Sequence, residues 1–334
     1  MICSTTSRRR LAAGFGLLAL AASLSSASPA WAQGPAWPTK PVRFVVPAPA
    51  GTAPDVIARV VGDKLSHMWG QQVMIDNRPG AGGIIGMVAI KQGEKDDHGF
   101  GFVQASALTL SPYMYRSNLV DIPNDFVPFS MIGLSPMIMA VAASSPANSL
   151  QELMAMARTR QGGIVAAVPL QYSTPHLAAE ILAKVANAPM RSVPFSNNAQ
   201  TVSAVMSDDA QLTIDGIPPL DGMIKGGKLK AISVFSDSRL KSRPQVQTVN
   251  EVYPDMTVNG WFALIAPKGT NPQVLQKIHD DMATVVTMRE VTERLDALGV
   301  YPKPMSQVEV AQYATSERVR WEKVLRDLNA QPLN

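Results

Sequence analysis

The sequence predicts an α/β fold of two lobes, each a mostly parallel sheet flanked by helices, with a cleft between them. Three observations carry this. Strand-like and helix-like segments alternate through most of the chain, the pattern of parallel sheets with helical crossovers. Two long apolar strand-like runs, "FSMIGLSPMIMAVA" and "GWFALIAPKG", bracket a middle α/β block. The stretch after the second run is helical and supplies no strands of its own, so the simplest packing returns it to the N-terminal sheet. The chain then crosses between lobes twice, near Gly133 to Met139 and near Val258 to Ala263. The expected limits are residues 1–32 for a signal peptide, 33–137 plus 256–334 for one lobe, and 138–255 for the other.

The first 32 residues read as an export signal. Arg8, Arg9 and Arg10 precede the apolar "LAAGFGLLALAASL", too short to span a bilayer, and Ala30-Trp31-Ala32 is an A-x-A cleavage site. Cleavage is expected after Ala32, placing the mature chain in a bacterial periplasm. "SRRRLAAG" carries two features of a twin-arginine signal, which leaves the export route open. The three arginines account for three of the four net positive charges, so the basic balance belongs mostly to the signal. No Lys/Arg stripe remains to suggest nucleic acid. The single cysteine, Cys3, leaves with the signal, and the mature protein relies on packing without disulfides. No later apolar run has membrane-spanning length, so the mature protein is not expected in the membrane.

Each element follows from local pattern. "VRFVV" is a strand, cut off by "PAPAG". Val56, Val60, Val61 and Leu65 then recur at helical spacing, predicting a helix from Ala53 to Trp69. Thr52 with Asp55 three residues on forms a capping box for it. The same helix end, if it faces a cavity, offers N–H groups and a macrodipole to an anion such as a carboxylate. Gly51 permits the turn.

Further along, "QQVMID" is a strand before the glycine loop "NRPGAGG" and a helix-like "IIGMVAIKQG". Gly80, Gly82 and Gly86 invite a dinucleotide fingerprint, but "NRP" separates them from the strand and Asp96 and Asp97 lie in a turn rather than at a strand end. A loop that lets a second helix approach the cleft fits better. "FGFVQAS" is a strand before the short segment "PYMYRSNL". The long run "FSMIGLSPMIMAVA" is interrupted at Ser135-Pro136. Ser149 with Glu152, and Ser306 with Glu309, form capping boxes, and Asn271-Pro272 starts another helix.

In "QYSTPHLAAEIL", Ser173 or Thr174 caps the helix that carries His176. A secreted hydrolase using Ser173 or Thr174 with His176 is the alternative, yet no G-x-S-x-G elbow or oriented third partner accompanies them. The four histidines are scattered without metal-ligand spacing, so neither a metal nor a cofactor is expected. Asp215 ends the strand "QLTID" before Gly216 and two prolines. It is either a turn acceptor or a cleft-facing acid.

Together the stretches "WPTKPVRFVVPAPAG…PDVIAR", "VMIDNRPGAGGIIG", "DDHGFGFVQASALTLSPYMY", "DFVPFSMIG", "STPHLAAEIL", "VPF", "GGKLKAISVFSDSR" and "WFALIAPKGT" resemble the extracytoplasmic solute receptors of the tripartite tricarboxylate transporter family, the Bug receptors. The resemblance implies a two-lobed (type II) periplasmic binding protein, not an enzyme. It would close on a small organic acid and pass it to a two-component membrane permease. It implies that a ligand carboxylate is held at the loop matching Pro47, Pro49, Ala50, Gly51, Thr52, Asp55 and Arg59. Ser106 and Ala107 match a further pocket loop, and the second lobe contributes Ser173, Thr174, His176 and Asp215. The family loop usually carries a second glycine where this chain has Thr52, adding a Cβ and a hydroxyl at the ligand's approach. The mature protein is expected to be a monomer. An orphan sensor that shows its closed form to a signalling partner is equally compatible with the sequence.

Overall fold

The computed structural model describes residues 1, 37–93, 96–115, 119–169, 171, 173–195 and 197–332. The signal-like segment beyond Met1, its cleavage site and Cys3 lie outside them. The chain forms two compact units, Met1–Thr39 and Lys40–Asn334, and every strand and helix described below belongs to the second.

Strand β1 (Val42–Val46) leads into helix α1 (Ala53–Trp69), and β2 (Val73–Asn77) into α2 (Ile84–Lys91). Strand β3 (Gly99–Gln104) runs into three short helices, α3 (Ala105–Thr109), α4 (Ser111–Met114) and α5 (Ile122–Asp125), before the long β4 (Phe126–Ala142). The middle block is α6 (Leu150–Thr159), β5 (Ile164–Pro169), α7 (Thr174–Val185), β6 (Met190–Phe195), α8 (Asn198–Met206), β7 (Leu212–Gly216), α9 (Ile217–Lys225), β8 (Leu229–Val234) and β9 (Gln247–Thr248). Strand β10 (Asn259–Pro267) and helices α10 (Pro272–Thr287), α11 (Arg289–Ala297) and α12 (Gln307–Asp327) complete the fold.

The strands form one curled sheet in the order β2-β1-β3-β10-β4-β7-β5-β6, with β8 also on β4 and β9 on β8. The strands that alternate with helices pair in parallel, β1 with β2 and β3, and β5 with β6 and β7. Strands β4 and β10 run antiparallel to their neighbours and join the two parallel sets.

The expected interruption at Ser135-Pro136 does not occur, since β4 runs unbroken for 17 residues. Its partner changes instead. Phe126 to Pro136 face β10, and from Met137 onward the strand pairs with β7 on one side and β8 on the other. Pro136 cannot donate to a ladder. It stands where one ladder ends and the next begins, so the missing N–H costs little there. The second crossing is equally sharp. Val258 bonds to Phe235 and Met137 of the second half, and the next residue, Asn259, begins β10.

Caps form largely as the sequence indicates. Ser306 and Glu309 make the full reciprocal box. Ser149 accepts from the Glu152 N–H, whereas the Glu152 carboxylate reaches one residue further back, to the Asn148 N–H at 2.7 Å.

Among the described residues, hydrophobic cores follow both halves of the sheet, one of them around Ile138, Ala167, Val205 and Leu220. Of the two that α12 reaches, one gathers Val45, Met87, Val103, Trp261, Val310 and Ala314. The other gathers Met139, Leu153, Leu182, Ile214, Val258, Trp321 and Leu325. Helix α12 therefore starts in one core and ends in the other. Midway, Glu317 accepts the Trp321 indole N–H at 3.1 Å, and Arg320 pairs with Glu317 while donating to the Thr257 carbonyl. Thr257 immediately precedes the second crossing. Trp321 is 1 % exposed. Trp321→Ala is expected to cost about 3–5 kcal/mol through the cavity it leaves, read as a lower denaturant midpoint at unchanged slope in equilibrium unfolding.

Candidate functional site

The end of β1 and the start of α1 are built around one buried carboxylate. Asp55, 3 % exposed, accepts the Gly51 N–H on Oδ2 at 2.8 Å and faces Arg59 Nη2 at 2.8 Å through Oδ1. Burial pushes its pKa up, but the Arg59 hydrogen bond, the Gly51 N–H, Asn77 and the Arg59 charge together hold it below the ordinary value. Gly51 sits at φ +81°, and a Cβ there would touch nothing, so glycine is needed for its backbone conformation rather than for room.

The expected capping box is not what forms. The Thr52 hydroxyl turns back to donate to the Pro49 carbonyl at 2.6 Å and makes no bond to the helix it precedes. The first turn of α1 thus has no side-chain cap, and Pro54 removes one of its donors. Thr52 itself has φ −80° and ψ 165°, an extended conformation in which a side chain carries no strain.

This helix tip opens onto a cavity of about 830 Å³ that lies between the two halves of the sheet. From the first half come Pro49, Gly51 and Thr52, together with Gln104 and Ser106 at the end of β3. Gln104 Nε2 donates to Ser106 Oγ at 3.0 Å. The glycine loop closes one side through Gly80, Gly82 and Gly83, as its composition suggests. Gly82 has φ +62°, and a Cβ on it would stand 2.2 Å from the Tyr115 ring, so the ring packs on bare backbone. Gly86 lets α2 approach the loop between β1 and α1, since a Cβ there would fall 2.7 Å from Pro47.

The second half contributes Gln171, Ser173, Thr174 and Pro175 at the start of α7, and Asp215 and Gly216 at the start of α9. The N-termini of α1, α7 and α9 therefore all border the cavity. Among the described lining residues there is no lysine, arginine or histidine. In the described lining, partial positive charge is supplied by backbone N–H groups at the helix starts.

Of the residues expected at the ligand from sequence, eight line the cavity: Pro47, Pro49, Gly51, Thr52, Ser106, Ser173, Thr174 and Asp215. Ala50 is exposed on the loop outside the lining. Asp55 lies beneath the loop and acts through Gly51. Ala107 is 0 % exposed and packs into the first core, because α3 turns it inward. His176 points along its own helix, with Nε2 3.7 Å from Glu180 Oε1. Ser173 Oγ donates to the Pro169 carbonyl and accepts the His176 backbone N–H at 3.3 Å. It caps α7, and among the described residues it makes no hydrogen bond to the imidazole, so Ser173 and His176 do not have the nucleophile–base geometry of a hydrolase.

Sequence reasoning passed over Gln104, Ser111, Tyr115, Ser135 and Trp261, all in the lining. Gln104 had a usable signal, the polar end of an apolar strand. Ser135 had one in the serine-proline step of β4. Tyr115 and Ser111 had none, because two short helices decide where they point.

Asp215 is 6 % exposed. Its Oδ1 accepts the Gly216 N–H at 2.7 Å, and its Oδ2 accepts from the Asn198 amide. Burial raises its pKa from 3.8 to about 6 against the opposing pull of these two bonds. The folded protein therefore keeps a proton that the unfolded chain has already lost, and stability falls as pH rises from about 4 to about 6. Asp215→Asn removes this slope. Its stability relative to the parent is expected to rise by about 2 kcal/mol between about pH 4 and pH 7, measured by denaturant unfolding at each pH.

A family model described as tripartite tricarboxylate transporter family receptor matches residues 57–330. Protein BugT of Bordetella pertussis is 28% identical over 296 residues, covering 88% of this chain and 91% of that protein. The UPF0065 protein in the gbd 5' region of Cupriavidus necator is 30% identical over 319 residues, covering 95% and 96%. Among solved structures, R. palustris Rpa4515 with adipate superposes with a TM-score of 0.76 at 27% identity, over 89% of this chain and all of that one.

Proposed function

The chain belongs to the tripartite tricarboxylate transporter receptor family, whose members bind solutes and are not enzymes, and from that premise we propose that it captures a small organic carboxylate in the cavity between its two halves and delivers it to a membrane permease. The observation that carries the carboxylate reading is the uncapped tip of α1, opening with two further helix N-termini onto a cavity whose described lining holds no cationic side chain. Backbone N–H groups at helix starts suit a carboxylate, and charge-assisted bonds in a partly dry site are strong. The adipate in the Rpa4515 structure is a ligand of this kind.

The lobes of the receptor are taken as 33–137 plus 256–334 and 138–255, with the hinge at the crossings Pro136–Met137 and Val258–Asn259, within three residues of those limits, and with the end of α12 reaching into the second lobe's core. A ligand that touches both walls favours the closed arrangement, and complete switching of such an equilibrium takes about 5.5 kcal/mol of preference. The signal-like N-terminus directs the chain to the periplasm, with cleavage after Ala32, and the mature receptor works there as a monomer. Among the described residues no helix is long and apolar enough to cross a membrane.

A thermal-shift screen of aliphatic, aromatic and amino acids against neutral solutes tests the ligand class. An acid present at one hundred times its Kd stabilises the folded form by about 2.7 kcal/mol and raises Tm. Shifts from neutral solutes alone would refute the carboxylate reading. Mass spectrometry of small molecules released on denaturation identifies the occupant. Thr52→Gly tests the loop. Glycine is tolerated at a helix N-cap, so stability is expected to change by less than about 0.5 kcal/mol. Freeing the Pro49 carbonyl changes the cavity edge, and Kd for the identified acid is expected to shift roughly fivefold or more by calorimetry. An unchanged Kd removes Thr52 from the binding surface.

A further inference from the structure

The wall of the cavity that belongs to the second half carries a charge of the wrong sign for a carboxylate. Asp215 is the one carboxylate among the described lining residues, and no basic side chain accompanies it there. Its partners, the Gly216 N–H and the Asn198 amide, are neutral donors. A carboxylate offers about four acceptor sites. Two bonds leave capacity on the cavity side. A buried anion with neutral partners is costly, gains from any donor brought to it, and loses from a second negative charge placed beside it.

Resting on the carboxylate reading above, we propose that Asp215, held by Asn198, reads the end of the ligand away from α1. The cavity thereby selects small carboxylic acids whose far end is a hydrogen-bond donor, a protonated amine or a hydroxyl, over acids whose far end is a second carboxylate. The acid head sits at the tip of α1, where N–H groups are available. The far end meets Asp215, where only a donor completes the site. A protonated amine forms a charge-assisted bond there, and a second carboxylate meets the Asp215 charge across a short, poorly screened gap. Asn198 is a positioning residue: its amide fixes the Asp215 carboxyl so that an oxygen is presented to the cavity. The pKa near 6 agrees with this arrangement, since the group is ionised in neutral medium yet lacks a cationic partner of its own. On this reading the preference runs against a ligand such as the adipate of the Rpa4515 structure, which ends in two carboxylates.

The test uses matched acids that differ only at the far end. The set is 6-aminohexanoate, 6-hydroxyhexanoate, hexanoate and adipate, with the four-carbon counterparts 4-aminobutyrate, 4-hydroxybutyrate, butyrate and succinate, titrated calorimetrically at about pH 8. The expected result is that, at a chain length that binds, the amino or hydroxy acid binds about tenfold or more tightly than the dicarboxylate. Asp215→Asn is expected to bring that ratio to within about twofold. A dicarboxylate that binds as tightly as the donor-ended acid overturns the proposal, and the parent ratio decides this even if the variant fails to fold. A ratio unchanged in a folded Asp215→Asn variant overturns it too. Binding by none of the eight acids overturns this assignment together with the carboxylate reading for aliphatic ligands, an outcome distinct from binding without donor preference.

Discussion

One strand has to serve two ladders, and the rest of the molecule is arranged around that constraint. The first part of β4 is bonded to β10 and its second part to β7 and β8, and the exchange takes place within a single peptide step after Pro136. Both halves of the sheet therefore share a covalent backbone at their closest approach. The cavity forms beside that shared strand, with Ser135 and Met137 in its lining. Because the parallel strands on either side end near the seam, their following loops and helix starts face each other across it. This places β1–α1, β3–α3, β5–α7 and β7–α9 connections around one space, and none of them brings a lysine or arginine to the described lining.

The chemistry at the site follows from the same geometry. Helix starts deliver partial positive charge that cannot be protonated, moved or titrated. A cleft that relies on them needs few basic residues, and the described lining has none. Asp55 has a supporting part in this. Its carboxylate accepts the Gly51 N–H and leaves the first turn of α1 open, so the loop is fixed in shape while the helix end stays available. Asp215 is the opposite case, a carboxylate on the wall itself whose partners come from its own next residue and from α8. Two acids of one protein thus have pKa values displaced in opposite directions, one stabilised by Arg59 and one exposed to desolvation without a cation.

Much of this was legible in the sequence, for reasons that differ between residues. The span of α1 could be read residue by residue, because its apolar spacing, the proline near its start and the glycine after Trp69 all act locally. Asp215 could be read only as either a turn acceptor or a cleft-facing acid, and it is both, because the strand that carries it ends at the cavity. Other features resisted. The Thr52–Asp55 pattern satisfies the rule for a reciprocal cap, but the proline-rich turn before it offers the hydroxyl a closer acceptor in Pro49. Ala107 and Ser106 are neighbours with opposite fates, decided by the step of about 100° between adjacent positions of a five-residue helix that no periodicity announces. The Ser135-Pro136 step reads locally as a strand break. It is tolerated because of where a second strand, more than a hundred residues away in sequence, stops pairing.

The last helix gives the molecule a mechanical character of its own. Val310 and Ala314 are fixed in one core, Trp321 and Leu325 in the other, and Arg320 ties the middle of the rod to the peptide just ahead of the second crossing. Pulling the halves straight apart would drag an indole out of close packing, whereas turning one about the rod's long axis keeps both ends seated. The rod is therefore a third tie between the halves beside the two backbone crossings, and a change of angle between them has to be taken up at one of its seated ends.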